Sequence, residues 1–247
     1  MVEAVETLDG WYSLHDMRLI DWKAWKKASV AERKEAIDDF LALFNEWDKV
    51  EKAENGSQVM YQAIGQQADL MFMFLRPTME ELANVETAFN KSKLAEFLRP
   101  AYSHLSVIEL SKYNPKTDEA DPEVQKRLRP ILPKWKHMSY YPMSRRREGD
   151  YNWYTLEKKE RAKLLYEHSL TGRQYAGEVK QFITGSIGFD EWEWGVTLFA
   201  HDAIQLKKVV YEMRFDEATS RYGEFSKFFV GNYLSTDDLQ LLLDVEA

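Results

Sequence analysis

The chain has 247 residues, 45% of them hydrophobic, with a formal net charge of −8. That length suffices for one large domain or two fused smaller ones with a real core, and the absence of cysteine removes disulfides, thiolate metal sites, iron–sulfur clusters and thiol nucleophiles. The acidity argues against general nucleic-acid binding. The first residues lack the basic and apolar stretches of a leader, and no window approaches the ~18 apolar residues of a membrane span, so a cytoplasmic protein with neither partner is expected.

Along the chain, TLDGWYSLHDMRLIDW is rich in β-formers and aromatics and predicts a strand. A helix follows: Ser29 and Glu32 have capping-box spacing, and Ile37, Phe40, Leu41, Phe44 and Trp47 recur at helical intervals. Asn55 and Gly56 signal a turn, after which VMYQAIGQQADLMFMFL reads as two strands separated by Gly65 to Ala68. Thr78 and Glu81 open a second helix with an apolar face of Leu82, Val85 and Phe89, and SHLSVIELSKY reads as another strand. The polar NPKTDEADPEV, residues 114–124, reads as a linker.

Beyond the linker the same plan returns. HMSYYPM answers YSLHDMRLI, TLEKKERAKLLYEHSL answers the first helix, and EWGVTLFAHDAIQLKKVVYEM answers DLMFMFLRPTMEELANVETAF, with Asp202 as a cap where Thr78 stood. The expected fold is α+β: two fused ferredoxin-like halves, residues 1–120 and 121–247, whose sheets cover one another in a barrel-like core.

The chemistry-bearing residues are few. Glycine-rich phosphate loops, His-Glu-x-x-His and G-x-S-x-G are all missing. The run from Lys126 to Arg147 holds eight Lys or Arg and no acid, and reads as either a basic surface strip or part of a site for a polyanionic, redox-active ligand. Of the five histidines, only His168 falls deep within a predicted helix on its apolar face. His15 and His137 fall at corresponding strand starts and read as structural, while His104 and His201 read as solvated strand edges or turns. A helical imidazole is either a satisfied core residue or the usual single protein ligand of a haem iron. Porphyrin carboxylates would then need guanidinium partners, for which Arg127, Arg145, Arg173 and Arg214 are candidates.

SYYPMSRRR, YEHSLTGRQYAGEVKQFITGSIGFDEWEWGVTLF and YEMRFDEATSRYGEF together resemble the coproheme decarboxylases of the chlorite dismutase superfamily, in their Gram-positive form. The resemblance spans nearly the whole chain. It implies a chlorite dismutase-like fold of two ferredoxin-like halves, the C-terminal one binding haem, usually in a homopentamer. It also implies oxidative decarboxylation of iron coproporphyrin III (coproheme) to haem b by hydrogen peroxide, through a three-propionate intermediate and a tyrosyl radical. The substrate would come from an iron-inserting chelatase, with which transient contact is expected. Carried over by position, His168 matches the iron ligand, Tyr141 the redox-active tyrosine, and Gln181 the distal residue where chlorite-degrading relatives have arginine. Arg127, Met143, Trp153, Arg173, Arg214 and Tyr113 match the propionate surroundings, and Trp194 a position near the porphyrin. Arg145 and Thr219 stand where lysine and serine are usual. The alternatives are a non-catalytic haem-binding or haem-delivery protein, or a chlorite dismutase-like peroxidase on the same fold.

Overall fold

The computed structural model describes residues 2–113 and 118–243. Its first part runs β1 (Thr7–Ile20), α1 (Trp22–Lys27), α2 (Val30–Lys52), β2 (Ser57–Ala63), β3 (Leu70–Arg76), α3 (Met79–Lys91) and β4 (Leu98–Ser111). Then come α4 (Pro122–Leu128), β5 (His137–Arg145), α5 (Lys158–Arg173), β6 (Val179–Gly185), β7 (Trp194–Ala200), α6 (Ala203–Met213) and α7 (Glu217–Tyr222). The chain closes with β8 (Gly223–Phe225), β9 (Phe229–Tyr233) and α8 (Thr236–Leu243). This is a mixed α+β fold in which every strand pairing described is antiparallel.

Two compact units divide it. The N-terminal unit takes residues 11–105 and 129–134 with the described residues from Phe229 onward; the C-terminal unit takes the start of the chain, 106–128 and 135–228. Within the N-terminal unit the strand order is β1-β3-β2-β9. Its core packs Leu14, Met60, Phe72 and Phe74 of the sheet against Ile37, Phe40, Phe44 and Trp47 of α2, Leu82, Val85 and Phe89 of α3, and Leu239 and Leu243 of α8. Within the C-terminal unit the order is β4-β6-β7-β5-β8. There Tyr141, Val196 and Leu198 pack on Leu206, Val209 and Met213 of α6.

The local signals that predicted the helices act as expected. Ser29 with Glu32, and Thr78 with Glu81, form reciprocal capping boxes, and Asp202 accepts from the Ile204 amide to cap α6. Three readings are corrected. His104 is neither at an edge nor solvated; it is fully buried inside β4. His15 sits well inside β1, also fully buried, with its ring 6.4 Å from that of His104. The linker ends sooner than its composition suggested, because Pro122 opens α4, a position where its missing N–H costs nothing; Asn114 to Thr117 lie outside the described residues. Helix α1 was not foreseen; Asp21 caps it by accepting from the Lys23 and Ala24 amides.

Candidate functional site

The elements of the two units correspond position by position, and the correspondence shows where they part ways. Phe40 lies eleven residues after the N-cap Ser29 of α2, and His168 lies eleven after the N-cap Glu157 of α5. Phe72 and Val196 are each the third residue of a seven-residue strand. Their partners correspond too: Phe72 lies between Asp16 and Met60, and Val196 between Tyr141 and Ile183. On the second helix, Phe89 and Met213 stand at the same distance from the caps Thr78 and Asp202. By the same counting Phe44 answers to Gly172 and Phe74 to Leu198.

In the N-terminal unit these positions form an aromatic plug. Phe40 meets Phe44, Trp47, Phe72 and Phe89 at centroid separations of 6.0, 6.1, 6.2 and 5.3 Å, which fills the space between sheet and helices. The buried Asp16–Arg18 pair, its guanidinium 3.9 Å from the Phe89 centroid, closes the remainder. In the C-terminal unit the same slots hold His, Val, Gly, Leu and Met. Five phenylalanines are thus answered by smaller side chains, one of them an imidazole.

That imidazole is held from one side. His168 Nδ1 lies 2.8 Å from Asp216 Oδ2 and 3.3 Å from the Thr219 hydroxyl, both at the start of α7. Asp216 in turn accepts from the Thr219 amide at 2.9 Å and the Thr219 hydroxyl at 3.1 Å. Burial pushes the Asp216 carboxyl up, but the hydrogen bond and charge of His168, with those Thr219 bonds, hold it below the ordinary carboxylate value. A carboxylate on one ring nitrogen fixes the ring and makes the other, Nε2, a better metal ligand. The residues present therefore fit an iron porphyrin, which His168 would hold.

Tyr141 is buried in β5, its ring stacked on Phe228 at 4.3 Å and tilted against Phe225 at 5.8 Å. Burial pushes its phenol up to about 12, against the pull of Arg214, so the hydroxyl keeps its proton at neutral pH. Because cross-strand partners share a face, the register sets Tyr141, Val196 and Ile183 in one row, and Met143, Trp194 and Gly185 in the next, which Phe225 extends. Gln181 precedes Ile183 on the same face of β6, and both are exposed. Trp194 donates its indole N–H to Glu109, whose carboxyl is pushed up by burial. That carboxylate occupies the space a side chain at Gly185 would need.

The cations divide by environment. Arg214 is exposed and lies over Phe225, 3.8 Å from its centroid; Arg173 at the end of α5 and Arg127 on α4 are also exposed. Arg145 is buried, with its guanidinium 4.6 Å from the Trp153 centroid and Nη1 donating to the Ala218 carbonyl at 2.7 Å. Burial lowers its pKa, opposed by Asp216, Tyr154, Tyr113 and Glu193. Tyr113 is half-buried in the field of Arg161, Arg145 and Lys158. The basic run itself is not one patch: Lys126 pairs with Glu123, Lys134 with Glu51, Arg146 with Glu224 and Arg147 with Glu193. Sequence reasoning missed Asp216, although DEAT is a capping pattern that could have flagged it, and missed Phe228.

The chlorite dismutase family model matches residues 33–234. The chain belongs to the chlorite dismutase family. A haem-binding protein from Thermus thermophilus is 46% identical over 98% of both chains, with a TM-score of 0.96. A variant of chlorite dismutase from Candidatus Nitrospira defluvii superposes with a TM-score of 0.79 over 95% of each chain at 16% identity, a likeness of fold. Among the described residues, no helix of this family member is long and apolar enough to cross a membrane.

Proposed function

We propose that the chain is a hydrogen peroxide-dependent coproheme decarboxylase of the cytoplasm, converting iron coproporphyrin III to haem b through a three-propionate intermediate. The haem-binding relative at 46% identity supports a porphyrin ligand. The observation that carries the reading is the pairing of a carboxylate-held imidazole, His168 with Asp216 at 2.8 Å, with a buried, protonated phenol at Tyr141 on the sheet of the same unit.

The bound iron porphyrin, substrate as well as redox centre, would draw two oxidising equivalents from each hydrogen peroxide, which leaves as two waters. His168 holds the iron through Nε2, and Asp216 keeps the ring from rotating. Tyr141 gives up one electron and its proton; as a phenoxyl radical it takes a hydrogen atom from the β-carbon of a propionate and is restored. Loss of a second electron and of carbon dioxide leaves a vinyl group, so each propionate consumes one peroxide and one proton. The phenol suits this step because burial stops it from ionising while leaving the O–H oxidisable. Arg127, Arg173, Arg214, Arg145, Thr219 and Tyr113 bind propionates in this reading, with Trp153, Met143 and Trp194 against the macrocycle. The repeat of residues 1–120 in 121–247, with haem in the second copy, assembly as a homopentamer, and receipt of substrate from a chelatase belong to the same proposal.

Gln181 supports decarboxylation over chlorite chemistry, because a neutral amide stabilises an anionic oxidant less than a fixed cation does. The test is to titrate the protein with iron coproporphyrin III, add peroxide and follow product masses. Two successive losses of carbon dioxide are expected. A stable complex whose mass never changes would make the protein a haem-binding or haem-delivery protein instead, and oxygen released from chlorite would make it a dismutase.

A further inference from the structure

In the N-terminal unit a cleft of about 250 Å³ opens between α2 and α3. Trp47 and Val50, one helical turn apart on α2, and Val85 of α3 give it apolar walls. Arg76 at the end of β3, with Glu81 and Asn84 on the first turns of α3, supplies its polar groups. That volume is below the range of drug-sized pockets and suits a small metabolite.

Arg76 is 3% exposed, yet its partners are all uncharged: the Ser57 and Leu75 carbonyls at 3.1 and 2.8 Å, and the Gln58 side-chain oxygen at 3.1 Å. These bonds leave Nε and the second Nη2 hydrogen without a partner among the described residues. Burial pushes the guanidinium down to about 10, against the pull of Glu81 and Glu51, so it stays charged at neutral pH. Glu51 is committed elsewhere, to Ser57, the Gln58 amide and Lys134. Glu81 gives one carboxylate oxygen to Thr78 in the capping box, and its other oxygen is open among the described residues. The shared fold does not demand this pair: counted from strand starts and helix caps, Arg76 answers to Ala200 and Glu81 to Gln205 in the C-terminal unit. Gly56, at a φ of 150°, makes room for the guanidinium, because a side chain there would lie 2.9 Å from Arg76 Nη1.

We propose that this cleft binds a free α-amino acid with an apolar side chain, of leucine or phenylalanine size. Its α-carboxylate sits on Arg76, its α-ammonium on Glu81, and its side chain against Trp47, Val50 and Val85. A simple carboxylic acid would bring a second negative charge beside Glu81, and a simple amine a second positive charge beside Arg76. A zwitterion satisfies both at once, through charge-assisted hydrogen bonds, while its apolar remainder leaves water. The residues involved are separate from those of the porphyrin reading, so the inference stands or falls independently of it.

Titration calorimetry of the whole chain tests it with three probes of one shape: L-leucine, isocaproate, which lacks the ammonium, and isoamylamine, which lacks the carboxylate. Leucine should bind at least about 10-fold more tightly than either half-ligand. Glu81→Gln removes the anion but keeps a residue that the capping box accepts; it should weaken leucine about 10-fold and leave isocaproate no weaker. Asn84→Trp fills the cleft from an exposed position on α3 and should abolish binding of all three. Melting temperatures check that both variants fold, and the comparison of ligands on the wild-type chain needs no variant. No heat from leucine at millimolar concentration, equal affinity for the three probes, or unchanged leucine affinity in either folded variant would overturn the site.

Discussion

Phe40 and His168 occupy equivalent slots in the two repeats, and their removal should have opposite consequences. Phe40 is fully buried and in contact with four other rings; truncation to alanine leaves a cavity that the aromatic neighbours cannot close, costing about 3–5 kcal/mol. For a chain of this size that corresponds to a fall in melting temperature of about 6–20 °C. His168 has a side chain 23% exposed and donates stability mainly through its bond to Asp216. The Asp216 carboxylate keeps its Thr219 partners in the variant, so His168→Ala should cost only about 1 kcal/mol. Urea and thermal unfolding of the two apo-variants measure the first quantity, and titration with ferric coproporphyrin III measures the second. Phe40→Ala should be destabilised yet bind, at temperatures where it is folded, and His168→Ala should be stable yet show a changed Soret band and weakened binding. Comparable destabilisation by both, or an unaltered ferric spectrum in His168→Ala, would refute the claim that one slot is structural and the other a ligand.

Further expectations concern the chemistry and its pH dependence. Tyr141→Phe should retain coproheme binding and lose decarboxylation, followed by product mass; in the parent protein a phenol at about 12 predicts no phenolate-dependent limb in the rate profile below about pH 10. Asp216→Asn removes the anion from His168 Nδ1, so the iron reduction potential of the complex should rise, as read by spectroelectrochemistry. His15 is held well below its ordinary value by burial and by His104. The unfolded chain therefore takes up a proton near pH 6.5 that the folded chain refuses. This contribution to stability is present above that pH and lost as pH falls below it. Urea midpoints measured from pH 7.5 to pH 5 should decline, and less steeply in His15→Gln.

Much of this was legible in the sequence because the determining forces are local. Capping boxes at Ser29 and Thr78, the Asn55-Gly56 turn and the helical spacing of Leu82, Val85 and Phe89 need no tertiary partner to be read. His104 was misread for the complementary reason. Nothing within a few residues of His104 reveals that its face of β4 is covered while Ser103 beside it is exposed, and a polar ring in a β-run suggests an edge. The site shows the same division. His168 stands out by its helical context, whereas Asp216, 48 residues away, is recognisable as its partner only once α7 is folded beside α5. Arg145 reads from the sequence as a carboxylate partner, and its packing on Trp153 sets it apart from Arg146 and Arg147, which pair with Glu224 and Glu193.

The aromatic plug also bears on how such a protein can change. A repeat whose interior is already complete can carry the folding free energy of its own half. Its sister is then released to lose volume and to gather histidine, arginine and tyrosine in places where a lone domain would fall below the stability threshold. The filled unit therefore supplies a stable foundation as well as a second sheet. Libraries aimed at new tetrapyrroles should concentrate diversity between β5 and β8 and leave the ring cluster around Phe40 untouched.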